Sequence, residues 1–383
     1  MAGVPPIHGS CDPSFARVRD AVVENFHSHG EIGAAVALAV DGRLVVDLWA
    51  GWADAAKTRP WNADTLVNVF SVGKAMAALT LLVLVDRGEV DLDAPVARYW
   101  PAFAAAGKGE ITVRTLLAHR AGLPAIRAPL PPFALYDWDA MTAALAAEEP
   151  WWQPGSQHGY HVNTFGFLVG EVVRRVTADA FRDVFRREIA GPLAADFHFG
   201  TQPADDDRTA EYVFDFAAEP PAGVFDEARH FLLQRAYGNP PGVSGDGTVN
   251  TRAWRAAQIP STNGHATARG VARIYSALAT PGGVDGVRLL REETLTAAIA
   301  EASSGPDAVL VRPSRFGLGF QLTQPERPLG PNPRAFGHFG AGGSLGFADP
   351  DARLAFGYTM NKSGPRWQNP ANRALIEAVY GAL

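Results

Sequence analysis

Ser71 and Lys74 stand three residues apart in Phe70-Ser71-Val72-Gly73-Lys74, the start of a long apolar run. Residues three apart share a face of an α-helix, so a hydroxyl and an amine can meet at the helix start. A serine needs a base to become a nucleophile. A lysine serves when burial or a neighbouring cation lowers its pKa and leaves the amine neutral. The helix N-terminus also favours negative charge developing near Ser71. In most proteins such a pair is a solvated surface contact. Here the context differs: the chain has four lysines, and AMAALTLLVLV after Lys74 is apolar nearly all round the helix. That pattern predicts a buried helix and a desolvated amine, with Gly88 ending the helix before a turn at Asp91-Leu92-Asp93-Ala94-Pro95.

Two other segments could complete such a site. Trp152-Gln153-Pro154-Gly155-Ser156-Gln157-His158-Gly159-Tyr160 places a tyrosine after a Pro-Gly turn and just before the apolar run TFGFLVGEVVRRV. A loop tyrosine beside Lys74 could be partly ionised, take the Ser71 proton and return it to a leaving group; otherwise it is a packed aromatic. In His338-Phe339-Gly340-Ala341-Gly342-Gly343-Ser344 the glycines allow close backbone approach. The N–H of Ala341, with that of Ser71, could form an oxyanion hole. Gly342-x-Ser344-x-Gly346 also matches the nucleophile elbow of α/β-hydrolases, but no histidine follows Ser344 and too little chain remains for that fold.

His119, His158 and His265 read as structural, whereas His161 and His338 are placed near the site. No His-Glu-x-x-His or comparable ligand set appears, so neither a metal nor another cofactor is expected. Asp205-Asp206-Asp207 reads as a solvated loop.

At 383 residues with 47% apolar content the chain can bury a sizeable core, and a net charge of −6 without basic clusters argues against nucleic-acid binding. Cys11 is the sole cysteine, which excludes an intrachain disulfide and reads as a free thiol near a loose terminus. MAGVPPIHGSCDPSF lacks the basic start and apolar core of a signal peptide, and no stretch is long and apolar enough to span a bilayer. The expectation is a cytoplasmic protein with no membrane partner.

The elements that must position these residues alternate in type along the chain. Pro13 to His29 predicts an amphipathic helix, and Gly33 to Ala50 a hairpin turning at Asp41-Gly42. From Thr65 to Thr280 most periodic stretches read as helical, joined by Pro- and Gly-rich loops at 128 to 133, 150 to 159 and 239 to 247. After Arg315, FGLGFQLT, AFGHFGAGGSLGFADP and ARLAFGYTMN read as strands, followed by a helix from Asn369 to Tyr380. The expected fold is α/β of the α+β type, with an antiparallel sheet built from both termini, flanked by helices and joined to a mostly helical lobe. The sheet lobe is set at about 1 to 65 and 310 to 383, the helical lobe at about 66 to 309, with the site between them.

Ser71-Val72-Gly73-Lys74, Tyr160 and His338-Phe339-Gly340, in this order and spacing, resemble the serine β-lactamase and penicillin-binding-protein superfamily. DRGEVDLDAPV, ITVRTLLAHRAGL, WWQPGSQHGY and GHFGAGGSLGFADP look like its class C β-lactamase-related branch, and specifically like family VIII carboxylesterases. The resemblance spans roughly residues 15 to 380. It implies a single β-lactamase-like catalytic domain, with Ser71 the acylated nucleophile, Lys74 and Tyr160 the proton-transfer pair, and the Ser71 and Ala341 N–H groups the oxyanion hole.

Two departures stand out: Tyr160-His161-Val162 replaces the family's Tyr-x-Asn, with Asn163 one place late, and His338-Phe339-Gly340 replaces its Lys-Thr-Gly. A partly neutral histidine followed by phenylalanine is a weaker and more apolar edge than lysine, less suited to a β-lactam carboxylate. His338, Phe339, Gly340, His161 and Trp152 are read as substrate-binding, with Trp138 and Trp151 as further pocket aromatics. The implied activity is ester hydrolysis through an acyl-enzyme on a small-molecule ester. Acyl transfer to an alcohol or amine, weak β-lactam or amide cleavage, and a non-catalytic binding role are the alternatives. Loops near 125 to 140 and 202 to 250 would decide among acceptors.

Overall fold

Asp41 and Gly42 adopt positive φ (52° and 77°), the tight-hairpin geometry that matches strand twist. In this computed structural model, residues 4–214, 226–242, 245, 247–364 and 367–383 are described; parts of the 202 to 250 and 239 to 247 loops lie outside them. The N-terminal part supplies strands β1 (Ile7–Cys11), β2 (Gly33–Val40) and β3 (Arg43–Gly51). The middle supplies β4 (Val67–Phe70), β5 (Phe197–Phe199) and β6 (Gly264–Ala266). The remainder gives β7 (Ser303–Pro306), β8 (Pro313–Phe316), β9 (Gln321–Leu322), β10 (Phe336–Phe339), β11 (Leu345–Asp349) and β12 (Leu354–Met360).

One antiparallel sheet has the order β1-β3-β2-β12-β11-β10-β9-β8-β7, so strands from the two ends of the chain meet where β2 pairs with β12. The expected antiparallel sheet from both termini is thus present, its C-terminal share beginning at Ser303. Terminal helices Ala16–Ser28 and Pro370–Tyr380 pack on each other, burying Val18, Val22, Leu375 and Ile376 in the core that holds Val36 and Leu38. Ala35 and Ala37 alternate to the other face, under helix Ala268–Ala279. That helix falls within the span read as helical lobe, yet it packs on the sheet.

One expectation needs correction. The segment that holds Cys11 is not loose: β1 pairs with β3 from Ile7↔Ala50 to Cys11↔Val46. Its side chains are mostly exposed, so this edge strand carries no hydrophobic period to read. The middle also contains a small sheet, β4-β6-β5, whose three- and four-residue strands are too short for a periodic signal. Asp205 and Asp206 of the acidic run pair with Arg208 and Arg252. Among the described residues, no helix is long and apolar enough to cross a membrane.

Helix Val72–Asp86 runs through the centre of the molecule. Every residue from Val72 to Leu84 is buried, and Gly88 at φ 77° follows its end. A Cβ on Gly73 would lie 2.6 Å from the Pro260 carbonyl oxygen. One on Gly166, in helix Phe165–Thr177, would lie 2.5 Å from the Ser261 nitrogen. Two helices therefore use glycine to seat against the same Pro260-Ser261 segment. Gly166→Ala is expected to destabilise by about 1–3 kcal/mol through overpacking. Gly109→Ala, with open space around its Cβ, should stay within about 0.5 kcal/mol of the parent. Urea denaturation of the two variants checks the contrast.

Candidate active site

β4 ends at Phe70, which takes a left-handed φ of 46°, and Ser71 then caps the central helix. A bulky residue at positive φ costs about 1 kcal/mol or more, and the Phe70 ring is held edge-on to Tyr212 at 4.8 Å. This sharp strand-to-helix turn carries the nucleophile candidate. Lys74 is fully buried; its Nζ lies 3.1 Å from Ser71 Oγ and donates to Ser261 O at 2.9 Å. No carboxylate pairs with it among the described residues, and burial drives its pKa well below the usual lysine range. A neutral amine can accept a proton from Ser71.

Tyr160 is likewise buried, and Lys74 Nζ lies 4.7 Å from its ring centroid. Its hydroxyl has no hydrogen-bond partner among the described residues. Burial pushes the phenol well above its usual range, against a smaller opposing influence of the Ser71 hydroxyl. Burial thus opposes the partial ionisation expected from the sequence, because a phenolate here would lose its hydration. The Tyr160 backbone is fixed by Asp307, whose Oδ1 accepts from the N–H groups of Tyr160 (3.0 Å), Val309 and Leu310 (both 2.8 Å). Its Oδ2 accepts from Ser314 Oγ, which also meets His158 Nε2 at 2.9 Å.

His161 has both ring nitrogens engaged: Nδ1 pairs with Gly159 O at 2.7 Å, and Nε2 accepts from Leu123 N at 3.1 Å. It ties the Tyr160 loop to the 119 to 123 turn. His119 Nδ1 accepts from His161 N at 3.1 Å, and its ring stands 5.2 Å from that of Tyr160. Neither Ser261 nor Asp307 was singled out in the sequence, where each is an ordinary loop residue; their importance arises from approach in three dimensions.

β10 brings His338 beside Tyr160, ring centroids 6.0 Å apart, with Nε2 lacking a hydrogen-bond partner among the described residues. Burial lowers its pKa to about 3, so the edge is a neutral imidazole rather than a partly charged one. Phe339 points the other way into the main core, as strand alternation requires. A Cβ on Gly340 would lie 2.3 Å from Val69 O, so this glycine lets β10 abut the strand that leads into Ser71. Ala341 follows in a short turn, Ala341–Gly343.

Among the aromatics, Trp152 and Trp151 pack with Ala125, Leu232, Val309 and Phe316 in the cluster that contains Tyr160. Trp367 joins them, edge-on to Tyr160 at 5.0 Å. Trp138 does not: its indole donates to Glu171 at 2.7 Å and packs on Phe167 and Phe181 inside the helical lobe. Asn163 donates to Ala236 O at 3.1 Å, anchoring helix Glu227–Gly238 beside the cluster.

A mixed sheet-and-helix scaffold that buries a serine, a lysine and a tyrosine together is that of the serine β-lactamase-like class of hydrolases. A model of the beta-lactamase family matches residues 18–380, and the chain belongs to that family. The esterase/beta-lactamase LipL of Mycobacterium tuberculosis is 39% identical over 365 residues, covering 93% of this chain and 83% of that protein. The crystal structure of a family VIII carboxylesterase is similar at a TM-score of 0.91 and 42% identity, covering 99% of this chain and 100% of the other. A penicillin-binding-protein homologue from Caulobacter crescentus gives 0.92 and 40%, with the same coverage.

Asp307→Ala leaves two buried N–H groups and a half-buried one without an acceptor and is expected to cost about 3 kcal/mol or more, whereas Asp307→Asn, which keeps one oxygen, costs less. Chemical denaturation alongside ester turnover measures both. A second expectation concerns acid. Burial lowers His161 to about 4 and His265 and His338 to about 3, from 6.5. Between those values and 6.5 the unfolded chain binds protons that the folded chain does not, so stability falls as pH drops through this window. By pH 4 each histidine contributes a loss of about 3 kcal/mol. Urea midpoints from pH 7 to 4 should fall, and His265→Asn, which can retain the donor to Asn263 O, should make the slope shallower.

Proposed function

We propose that the protein hydrolyses carboxylic esters of small uncharged acyl groups through an acyl-enzyme on Ser71, as one catalytic domain whose two lobes share the site. The observation that carries this reading is the buried, counter-charge-free Lys74 amine 3.1 Å from Ser71 Oγ and under the Tyr160 ring. Its relatives named as esterases support the substrate class.

In this mechanism Ser71 Oγ attacks the ester carbonyl carbon while its proton passes to Lys74 Nζ. Negative charge on the carbonyl oxygen is met by the Ser71 and Ala341 N–H groups. When the ester C–O bond breaks, the neutral Tyr160 hydroxyl protonates the departing alkoxide and regains a proton from Lys74. Water then repeats the sequence on the acyl-enzyme, releasing the carboxylic acid and Ser71. The neutral His338 and the apolar wall of Trp152, Leu232, Val309 and Phe316 favour an uncharged acyl group over a β-lactam carboxylate.

Intact mass after brief incubation with a short-chain p-nitrophenyl ester should show one acyl adduct on the parent and none on Ser71→Ala. Turnover of that variant should fall roughly a thousandfold or more. A Ser71→Ala protein with full esterase activity would sink the mechanism. For the parent, kcat/KM should rise with pH as Lys74 loses its proton, and Lys74→Met should abolish turnover while leaving the fold intact.

A further inference from the structure

We propose that Tyr212, Asn369 and Asn372 are positioning residues for acyl transfer: they clamp the Ala341–Gly343 turn and so aim the Ala341 N–H at the reacting carbonyl oxygen. The inference rests on the oxyanion role given above to Ala341. Three successive carbonyls of this turn each accept a side-chain donor from a separate position in the chain. Tyr212 Oη donates to Ala341 O at 3.1 Å, Asn369 Nδ2 to Gly342 O at 3.0 Å, and Asn372 Nδ2 to Gly343 O at 2.9 Å. The Gly364 N–H adds a second bond to Gly342 O at 2.7 Å.

The clamp fixes the N–H that matters. Gly343 N donates to Gly340 O at 3.2 Å. In a trans peptide the carbonyl and the following N–H point in opposite directions, so holding Gly340 O sets the direction of the Ala341 N–H. Gly343 is itself held by Asn372. Tyr212 reaches the other donor segment as well, since its ring packs on Phe70, the residue before Ser71. One side chain thus braces both backbone segments of the oxyanion hole.

Asn369 and Asn372 divide their amides between two tasks. Each Oδ1 accepts the other's backbone N–H, at 3.1 and 3.0 Å, closing a capping box on helix Pro370–Tyr380, while each Nδ2 holds the turn. A Cβ on Gly343 would lie 2.4 Å from Asn369 Nδ2, so the turn is glycine where the clamp closes.

This division allows a specific test. Asn369→Asp and Asn372→Asp keep the capping oxygen and lose the clamp donor; Tyr212→Phe removes only a hydroxyl and adds no charge. For each, kcat, KM and melting temperature are measured with an oxoester and the matching thionoester, whose sulfur is a poor hydrogen-bond acceptor. The expected result is a fall in oxoester kcat of roughly ten- to a hundredfold, with KM and melting temperature little changed and a smaller oxo-to-thiono rate ratio. Equal loss on both substrates, or an unchanged ratio in all three variants, overturns the clamp. A parent enzyme with no preference for the oxoester instead overturns the oxyanion hole beneath it. If either Asp variant fails to fold, Tyr212→Phe carries the test alone.

Discussion

The structure depends on the burial of one amine, Lys74, that has no counter-charge among the described residues. Among the described residues an ammonium in that position would lose its hydration with a hydroxyl, a carbonyl and an aromatic face in return, so burial favours the neutral amine. A salt bridge there would restore the charge and remove the base that the proposed mechanism needs. The surroundings serve this constraint: a helix buried on every side excludes water, and glycines at 73 and 166 let two helices close on the segment that offers Ser261 O. A larger residue at either position would push away the carbonyl that orients the amine.

The same low-polarity enclosure shapes the rest of the site. His338, His161 and Tyr160 are all held in their neutral forms by burial. In the proposed mechanism, electrostatic help for a developing oxyanion comes from fixed backbone dipoles rather than a mobile cation, which makes backbone placement critical. On that proposal, the left-handed Phe70 and the carbonyl-clamped glycine turn are where the fold supplies that placement. Both are positions of conformational cost, stabilised by packing from elements far away in sequence.

Much of this was legible along the chain because the signals are local. The Ser71-Lys74 spacing reports a shared helix face, Asp41-Gly42 a turn with two positive φ angles, and Asn369-Pro370 a helix start. Each depends on bonds between near neighbours, so residue type suffices. The motifs around Tyr160 and His338 were legible only as a set, since nothing in either segment alone reveals what it faces.

What the sequence by itself determined is the chemistry on offer: a serine and a lysine on one buried helical face, a loop tyrosine, a glycine-rich strand end, and an antiparallel sheet from both termini. Tertiary structure decided how these are used. It turned Phe339 away from the site through strand alternation, placed Trp138 in the helical lobe, and paired β1 through backbone bonds that leave no side-chain pattern. It also recruited Ser261, Asp307 and Tyr212, whose roles arise from contacts across 187, 147 and 129 positions of the chain. Protonation states belong to this second group, because desolvation is a property of everything packed around a residue and not of the residue or its neighbours in sequence.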